Sequence, residues 1–300
     1  MEKHEKIQFI RKAIPTIEIS HLEENNYGWD NDIFIINHQL VFRFPKTEQI
    51  SHKIMKEKQV LGLLNKKKPI LQLPDYSLFF DEHKKLICTC HKYIDGVPLI
   101  GNSDMMNWDE SAKLLADFLT KLHRIQAVDY NKYSISTIHT FDYWNHFYSA
   151  IKQEIYPLIT LDYQSTIEQL FQRFFNQFTN KAKINCIIHG DLTCSNILFS
   201  PNSKLVSGVI DFTDAQISDP AFDFAGFYWD LGADFTMKVL SYYEGTESAH
   251  TIFERVKDFY GLQPVFHELL HAVRNRLPID ANEKMQKLIQ LQKTGNDSYY

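Results

Sequence analysis

The segment between residues 184 and 212 limits the possible folds of this chain more than any other. It reads INCIIHGDLTCSNILF from residue 184 and is followed by an apolar run, 205–210, that leads into Asp211-Phe212. Residues 184–188 and 205–210 are short and apolar, which is typical of buried strands. We predict that the second strand pairs back across the loop as a hairpin, so that Asp211 emerges beside Asn196.

The polar residues of this segment have the spacing H-G-D-x-x-x-x-N, followed by a strand that ends in Asp-Phe. Phosphoryl transfer in kinases needs one Asp that orients the attacking hydroxyl, here Asp191, and an Asn and a second Asp that hold magnesium, here Asn196 and Asp211. Oxygen ligands of this kind suit Mg²⁺. A structural turn is the alternative, because Asp and Asn are common in turns. The complete string between two apolar strands favours the catalytic interpretation.

The first part of the chain is rich in short strands. Residues 33–37 and 40–44 predict a hairpin, 49–65 a helix, and further strands follow near 76–80 and 86–92. Arg43 lies on the second hairpin strand with Lys46 just beyond it, and Glu57 lies on the helix. A kinase needs a strand cation for the nucleotide phosphates and a helix carboxylate that orients it.

Beyond residue 93 the helical period dominates, for example in residues 109–124, 142–158 and 162–178, and again after about 221. We therefore predict an α+β, bilobal fold. Residues 1–93 would form an N-lobe, a nucleotide-covering β-sheet with one helix. Residues 94–300 would form a helical C-lobe with the catalytic loop and the substrate site.

The chain resembles the aminoglycoside phosphotransferases, antibiotic kinases with a bilobal protein-kinase-like fold, over nearly its whole length. Within them it is most similar to the 2''-phosphotransferases. The resemblance rests on these stretches: VFRFPK (41–46), Glu57, YIDGVPL (93–99), LADFLTKLHRI (115–125), IIHGDLTCSNILF (187–199) and GVIDFTDAQISDPAFDFA (208–225).

The resemblance implies a role for each matching residue. Asp191 would be the catalytic base or the group that orients the acceptor hydroxyl. Asn196 and Asp211 would be the magnesium ligands, and ATP or GTP the phosphate donor. The cofactor-binding residues would be Arg43, Lys46, Glu57, Gly28 in the phosphate-covering loop 27–32, and His91, Tyr93 and Ile94 in the hinge that meets the purine. His189, Asp219 and Asp223 would support the catalytic loop.

Four positions depart from the family pattern. Arg43 replaces the usual Lys, although a guanidinium can also bind phosphate. The phosphate loop has Gly28 as its single glycine. Thr213 replaces the glycine after Asp-Phe, and Trp229-Asp230 stands where two acids are often adjacent.

The acceptor is expected to be cationic. The stretch from Asp191 to Asp234 contains seven Asp and one basic residue, Lys204, and a cleft lined with carboxylates concentrates polycations such as aminoglycosides. The candidate substrate-binding residues are Asp230, Asp234, Trp229 and, more weakly, Glu268. Phe227, Tyr228 and Trp229 equally suit a more apolar ligand such as a macrolide.

Composition excludes several other classes. The net charge is −5 without a basic stripe, so we expect no nucleic-acid partner. The four cysteines lack the spacing of a metal site, the N-terminus does not resemble a signal peptide, and no long apolar run occurs. These features predict a cytoplasmic protein without a membrane partner.

Alternatives to an aminoglycoside kinase are a macrolide or metabolite kinase and a nucleotide-binding pseudokinase module. A protein kinase is disfavoured because no A-P-E-type segment follows Asp211.

Overall fold

The computed structural model describes residues 1–25, 30–126, 135–178, 186–245 and 247–297. The elements of the N-terminal region are α1 (Lys3–Ala13), β1 (Leu22–Asn25), β2 (Asn31–Ile36), β3 (Leu40–Pro45), α2 (Glu48–Asn65), β4 (Ser77–Phe80) and β5 (Leu86–Lys92). The five strands form an antiparallel sheet in the order β1-β2-β3-β5-β4.

The predicted β2–β3 hairpin is present, with Ile36 opposite Leu40. Asn37 and His38 have φ values of 52° and 50°, the left-handed geometry that a tight hairpin turn requires. Phe34, Phe42 and Phe44 from these strands are fully or almost fully buried. They pack under α1, a second helix where the sequence predicted only one. Helix α1 has no apolar stripe that a sequence pattern could indicate, because Ile10 is its only buried residue.

Most of the chain after β5 is helical. Its elements are β6 (Val97–Pro98), α3 (Trp108–His123), α4 (Phe141–Glu154), α5 (Leu161–Gln177), β7 (Cys186–Ile188), β8 (Ile197–Ser200), β9 (Leu205–Val209), β10 (Gln216–Ser218), α6 (Ala225–Tyr242), α7 (Ala249–Arg255), α8 (Pro264–Asn275) and α9 (Ala281–Asp297). Short 3-10 turns lie at Ser103–Met105, Tyr156–Leu158 and Pro220–Phe224, and a π-turn lies at Val256–Tyr260. The α+β fold class is therefore confirmed.

The strands around the catalytic segment pair differently from the prediction. β9 pairs with β8, and β8 also pairs with β6, whereas β7 pairs with β10. The expected hairpin between 184–188 and 205–210 was wrong, because short apolar runs do not specify their partner. Asp211 nevertheless follows directly beside Asn196, since the Ile210 amide donates to the Asn196 carbonyl at 3.0 Å.

The sheet region and the helical region are joined by backbone hydrogen bonds. Gln72 donates from its amide to the Ser207 carbonyl at 3.0 Å and accepts from the Val209 amide at 3.0 Å. Gly208 is needed there, because a Cβ would lie 2.8 Å from the Gln72 carbonyl oxygen. Residues from the second half of α2 belong to the same large apolar core as the later helices. The lobe boundary near residue 93 stays a prediction.

Within the described residues, we find no helix that combines the length and the apolar character needed to cross a membrane.

Candidate active site

The loop between β7 and β8 is held from beneath by a buried carboxylate. Asp223 is 1% exposed and accepts hydrogen bonds from the His189 amide at 2.8 Å and the Gly190 amide at 2.9 Å. Its third partner is Nε2 of His123 at 3.0 Å. Burial works to raise the pKa of Asp223, but the hydrogen bond and the electrostatic attraction of His123, together with the hydrogen bond from the Gly190 amide, outweigh it and lower the pKa. A charged carboxylate therefore fixes the start of the loop.

His189 supports this loop with both ring nitrogens. Nε2 donates to the Ile210 carbonyl at 3.1 Å, and Nδ1 accepts from the Asp191 amide at 3.3 Å. Burial lowers the pKa of His189, which favours the neutral ring that these two bonds require. The imidazole thereby connects the amide of Asp191 to the carbonyl of Ile210, the residue before Asp211.

Asp191 and Asn196 lie in the loop between β7 and β8, and Asp211 follows the end of β9 close to them. The side-chain nitrogen Nδ2 of Asn196 donates to the backbone carbonyl oxygen of Asp191 and to Asp191 Oδ2, both at 2.8 Å. This leaves Asn196 Oδ1 as the atom that could bind a cation. Asp211 has a φ of 64°, so its backbone turns sharply where β9 ends.

The electrostatics around Asp191 fit a bound cation. Asp191 remains accessible to solvent. Partial burial of its carboxyl group, followed by the negative charges of Asp214 and Asp211, raises its pKa to about 7. The carboxylates of Asp211 and Asp214 are therefore close enough to act on Asp191, and the Asn196 side chain lies beside it. Hard oxygen donors in such an arrangement suit Mg²⁺, which needs few protein ligands when nucleotide phosphates complete its shell.

Asp211 is held in its ionised form. Burial tends to raise its pKa, but the Arg43 guanidinium and a hydrogen bond from Thr213 dominate and lower it. Thr213 Oγ1 lies 2.6 Å from Asp211 Oδ1, and Arg43 Nη2 lies 3.6 Å from the same oxygen. The threonine that replaces the usual glycine therefore orients this carboxylate.

Arg43 and Glu57 form a buried ion pair. Arg43 Nη1 lies 3.1 Å from Glu57 Oε1, and the Glu57 side chain is 0% exposed. The same oxygen accepts from the Tyr76 hydroxyl at 2.7 Å and from the Phe212 amide at 2.9 Å. Arg43 also donates to the Tyr76 hydroxyl. Glu57 thus ties the cation on β3 to the backbone immediately after Asp211.

A second cation reaches the site from α2. Lys53 Nζ lies 2.9 Å from Asp214 Oδ1, and both side chains are partly exposed. Burial raises the pKa of Asp30. The positive charge of the nearby Lys53 acts in the opposite direction but is the smaller effect. Lys53 therefore connects the helix of the sheet region to the segment that follows Asp211.

The proposed hinge has a backbone pattern that can receive a purine edge. The Tyr93 amide donates to the Gln39 carbonyl at 2.8 Å, and His91 is opposite Val41 in the β3–β5 register. Because backbone groups alternate in an antiparallel pair, those of Lys92 and Ile94 face away from β3. His91 is buried, which lowers its pKa to about 4, and Nδ1 donates to the Lys92 carbonyl at 2.8 Å.

Two other residues, Lys46 and Gly28, were expected to bind the nucleotide. Lys46 Nζ lies 3.6 Å from Asp32 Oδ1 at the end of the hairpin. Gly28 lies outside the described residues.

The aromatic residues proposed for the acceptor side belong to the core. Phe227 and Tyr228 are 0% exposed, and Trp229 is 3% exposed. The Trp229 indole nitrogen donates to Glu268 Oε1 at 2.6 Å, and Lys287 covers its ring with Nζ 4.1 Å from the centroid. These three rings offer no open surface to a ligand, so this argument for an apolar acceptor no longer holds.

The acids of the acceptor side are partly engaged. Asp230 Oδ2 accepts from the Cys194 amide at 3.2 Å, next to the catalytic loop. Glu268 pairs with Lys284 at 2.5 Å. Burial lowers the pKa of Lys287, although the negative charges of the nearby Asp230 and Glu268 act in the opposite direction. Two lysines on α9 therefore oppose the binding of a cationic group here.

Asp234 is exposed on α6, two residues after Gly232, where the helix is kinked (φ 84°). Asp219, expected to support the catalytic loop, precedes the short turn that contains Asp223. It caps the turn Pro220–Phe224 by accepting from the Ala221 amide at 2.9 Å, and it pairs with Arg255 at 2.9 Å.

Tyr76, Lys53 and Asp214 were missed as site residues. Tyr76 lies in a loop between α2 and β4, and no motif marks a single tyrosine. Lys53 and Asp214 meet across 161 positions of sequence, which no local spacing can reveal. The sequence also contained no indication that His123 would contact the carboxylate of Asp223.

Comparison with known proteins agrees with this geometry. Residues 21–259 match the model of the phosphotransferase enzyme family (APH). The uncharacterized protein YcbJ of Bacillus subtilis (strain 168) is 26% identical over 136 residues. That match covers 45% of this chain and 43% of YcbJ, so it spans less than half of the relative's length.

Solved structures share the fold over nearly the entire chain. A GDP complex of wild-type aminoglycoside 2'-phosphotransferase-IIIa superposes with a TM-score of 0.79 at 22% identity, covering 100% of both chains. The GDP and kanamycin complex of APH(2")-IIia gives a TM-score of 0.79 at 23% identity, covering 99% of this chain and 100% of that one. Macrolide 2'-phosphotransferase type I gives 0.66 at 19% identity, covering 97% and 98%. Because the family model matches most of its length, this chain belongs to the phosphotransferase enzyme family.

Proposed function

We propose that this protein transfers the γ-phosphoryl group of ATP or GTP to a hydroxyl of a small molecule, with Asp191 as the catalytic residue. The observation that carries the proposal is the connected set of polar groups at the ends of β7 and β9. Asn196 orients Asp191 at 2.8 Å, and Glu57 links Arg43 to the Phe212 amide beside Asp211.

Each residue has a distinct part in this proposal. Asp191 accepts a hydrogen bond from the acceptor hydroxyl, aligns it with the phosphoryl group and takes up its proton. Arg43 holds the nucleotide phosphates, and Glu57 keeps the guanidinium in place. Asn196 Oδ1 and the Asp211 carboxylate would hold Mg²⁺, which neutralises charge on the phosphates when it is bound. The protein contributes position and preorganised charge, without a covalent intermediate.

The purine would lie against the hinge residues His91 to Ile94. The Ile94 amide and the Lys92 carbonyl are the backbone groups that the register turns away from β3. The His91 ring already donates to that carbonyl, so it lies where it can influence the choice between adenine and guanine.

An aminoglycoside is the first candidate for the acceptor, and a macrolide is the second. The first is supported by solved relatives in complex with kanamycin or gentamicin and by the exposed acids Asp230 and Asp234. Lys284 and Lys287 weaken it, because they reduce the net negative charge near Asp230. The second is supported by the macrolide kinases with the same fold.

The test is a phosphorylation screen of aminoglycosides and macrolides with both ATP and GTP, with product detected by mass. A phosphorylated product from at least one hydroxylated acceptor is expected. Magnesium-dependent nucleotide binding without turnover on any acceptor would instead support the pseudokinase alternative.

A further inference from the structure

A group of three potential metal ligands lies outside the proposed active site, on the β2–β3 turn and the start of β1. His21, Glu23 and His38 each present one ligand atom, and these atoms all lie within 4.8 Å of one another. The two imidazole Nε2 atoms lie 2.8 Å (His21) and 3.1 Å (His38) from Glu23 Oε1. The side chains are 54%, 44% and 55% exposed in chain order, so a hydrated ion can reach them.

We propose that His21, Glu23 and His38 form a binding site for one divalent transition-metal ion of the Zn²⁺ type. Two imidazoles and one carboxylate are a common three-ligand set for zinc, with water in the fourth position. Zinc ligands lie about 2.0–2.2 Å from the ion, so in a tetrahedral site neighbouring ligand atoms are about 3.3–3.5 Å apart. The nitrogen–oxygen distances of 2.8 and 3.1 Å need only a small outward movement to reach this spacing.

The backbone holds these ligands in place before any ion binds. The Asn37 side chain accepts from the Ser20 and His21 amides at 3.0 and 2.8 Å and donates to the Glu18 carbonyl at 2.7 Å. The Asn37 amide donates to the His21 carbonyl at 2.9 Å. The segment that carries His21 is therefore fastened to the turn that carries His38, and the site needs little ordering on binding.

The two imidazole rings are also restrained. They stack with centroids 5.2 Å apart and an interplanar angle of 19°, and the His38 ring contacts the Tyr93 ring edge-on at 5.5 Å. Tyr93 belongs to the proposed hinge, and its amide bonds to Gln39, the residue after His38. An ion at this site would join the edge strand β1 to the turn that borders the hinge.

The test is calorimetric titration of tag-free protein with ZnCl₂ in a non-chelating buffer. We expect one equivalent of zinc with micromolar affinity, and a zinc-dependent rise in melting temperature, since an ion that binds only the native state stabilises it. The Co²⁺-loaded protein should show the visible absorption of a four-coordinate site. The double variant His21→Asn/His38→Asn should weaken zinc binding at least about tenfold, because even outer-shell partners of metal ligands are worth 10–100-fold.

Asparagine is the chosen replacement because it tolerates the left-handed backbone at position 38. His83→Asn is the matched control. His83 is an exposed histidine whose Nε2 lies 3.5 Å from the Glu82 carboxylate, and among the described residues it does not belong to the three-ligand group. It should leave zinc affinity, the cobalt spectrum and the zinc-dependent melting shift unchanged. Wild-type protein without micromolar zinc binding, or a double variant that binds zinc as wild type does, would overturn the proposal.

Discussion

Removing the Glu57 carboxylate alone should lower the free energy of unfolding more than replacing both members of its ion pair with apolar residues. Glu57→Ala leaves Arg43, which is 6% exposed, without its main counter-charge, and it removes the acceptor of Tyr76 and of the Phe212 amide. Breaking a buried pair by deleting one partner costs about 3–5 kcal/mol. At 2–4 °C per kcal/mol, the melting temperature should fall by roughly 6–20 °C.

The double variant Arg43→Met/Glu57→Leu removes both charges and restores apolar volume. It should recover at least about 1 kcal/mol relative to Glu57→Ala, because no uncompensated buried charge remains. It should still lose turnover by roughly 10²–10³-fold, as expected when a preorganised charge group is lost. Denaturant unfolding followed by tryptophan fluorescence gives the free energies, and a coupled nucleotide assay gives the rates. Glu82→Ala, whose carboxylate is 86% exposed, is the control. A Glu57→Ala protein within about 1 kcal/mol of wild type, well below the cost of an unpaired buried charge, would refute this reasoning.

Four further substitutions test other parts of the site. Asp211→Asn should lower turnover and reduce the gain in nucleotide affinity that magnesium provides, because a charged ligand is lost; calorimetry with and without magnesium shows whether that gain persists. Lys287→Met should lower the KM for an aminoglycoside, whereas Asp230→Asn should raise this KM and flatten its salt dependence, with kcat little changed in either variant. Steady-state kinetics at two salt concentrations measure these values, and a KM that neither substitution changes would contradict the prediction. Asp223→Asn should cost about 1.5–3 kcal/mol of stability, the value of hydrogen bonds to a buried charge, and unfolding indistinguishable from wild type would mean that the loop is held by other contacts.

The candidate catalytic and magnesium-binding residues could be predicted from the sequence because their spacing is characteristic. Asp191, Asn196 and Asp211 fall within 21 positions, and the structure brings them together. The β2–β3 hairpin followed from two apolar runs and a short turn between them. In both cases the information is local, so pattern and turn chemistry were sufficient.

Contacts between distant segments could not be predicted in this way. The pairing of β9 with β8 instead of β7 depends on which strand is nearest in the folded chain, and three- to five-residue strands do not encode it. Tyr76, Lys53 and Asp214 act through partners that a linear motif does not include. The acceptor side shows the same limit, because Phe227, Tyr228 and Trp229 are core residues and the charges of Asp230 and Glu268 are opposed from α9 by Lys284 and Lys287.

The central claim is that Asp191 serves the acceptor hydroxyl, and one comparison tests it most directly. For the best acceptor from the screen, kcat and nucleotide affinity are measured for wild type and Asp191→Ala. We predict that kcat falls by about 10²–10⁴-fold, the usual contribution of a positioned acid–base group, while nucleotide affinity stays within a few-fold. A variant that keeps more than about a tenth of wild-type kcat, far above the loss expected for such a group, would contradict the account.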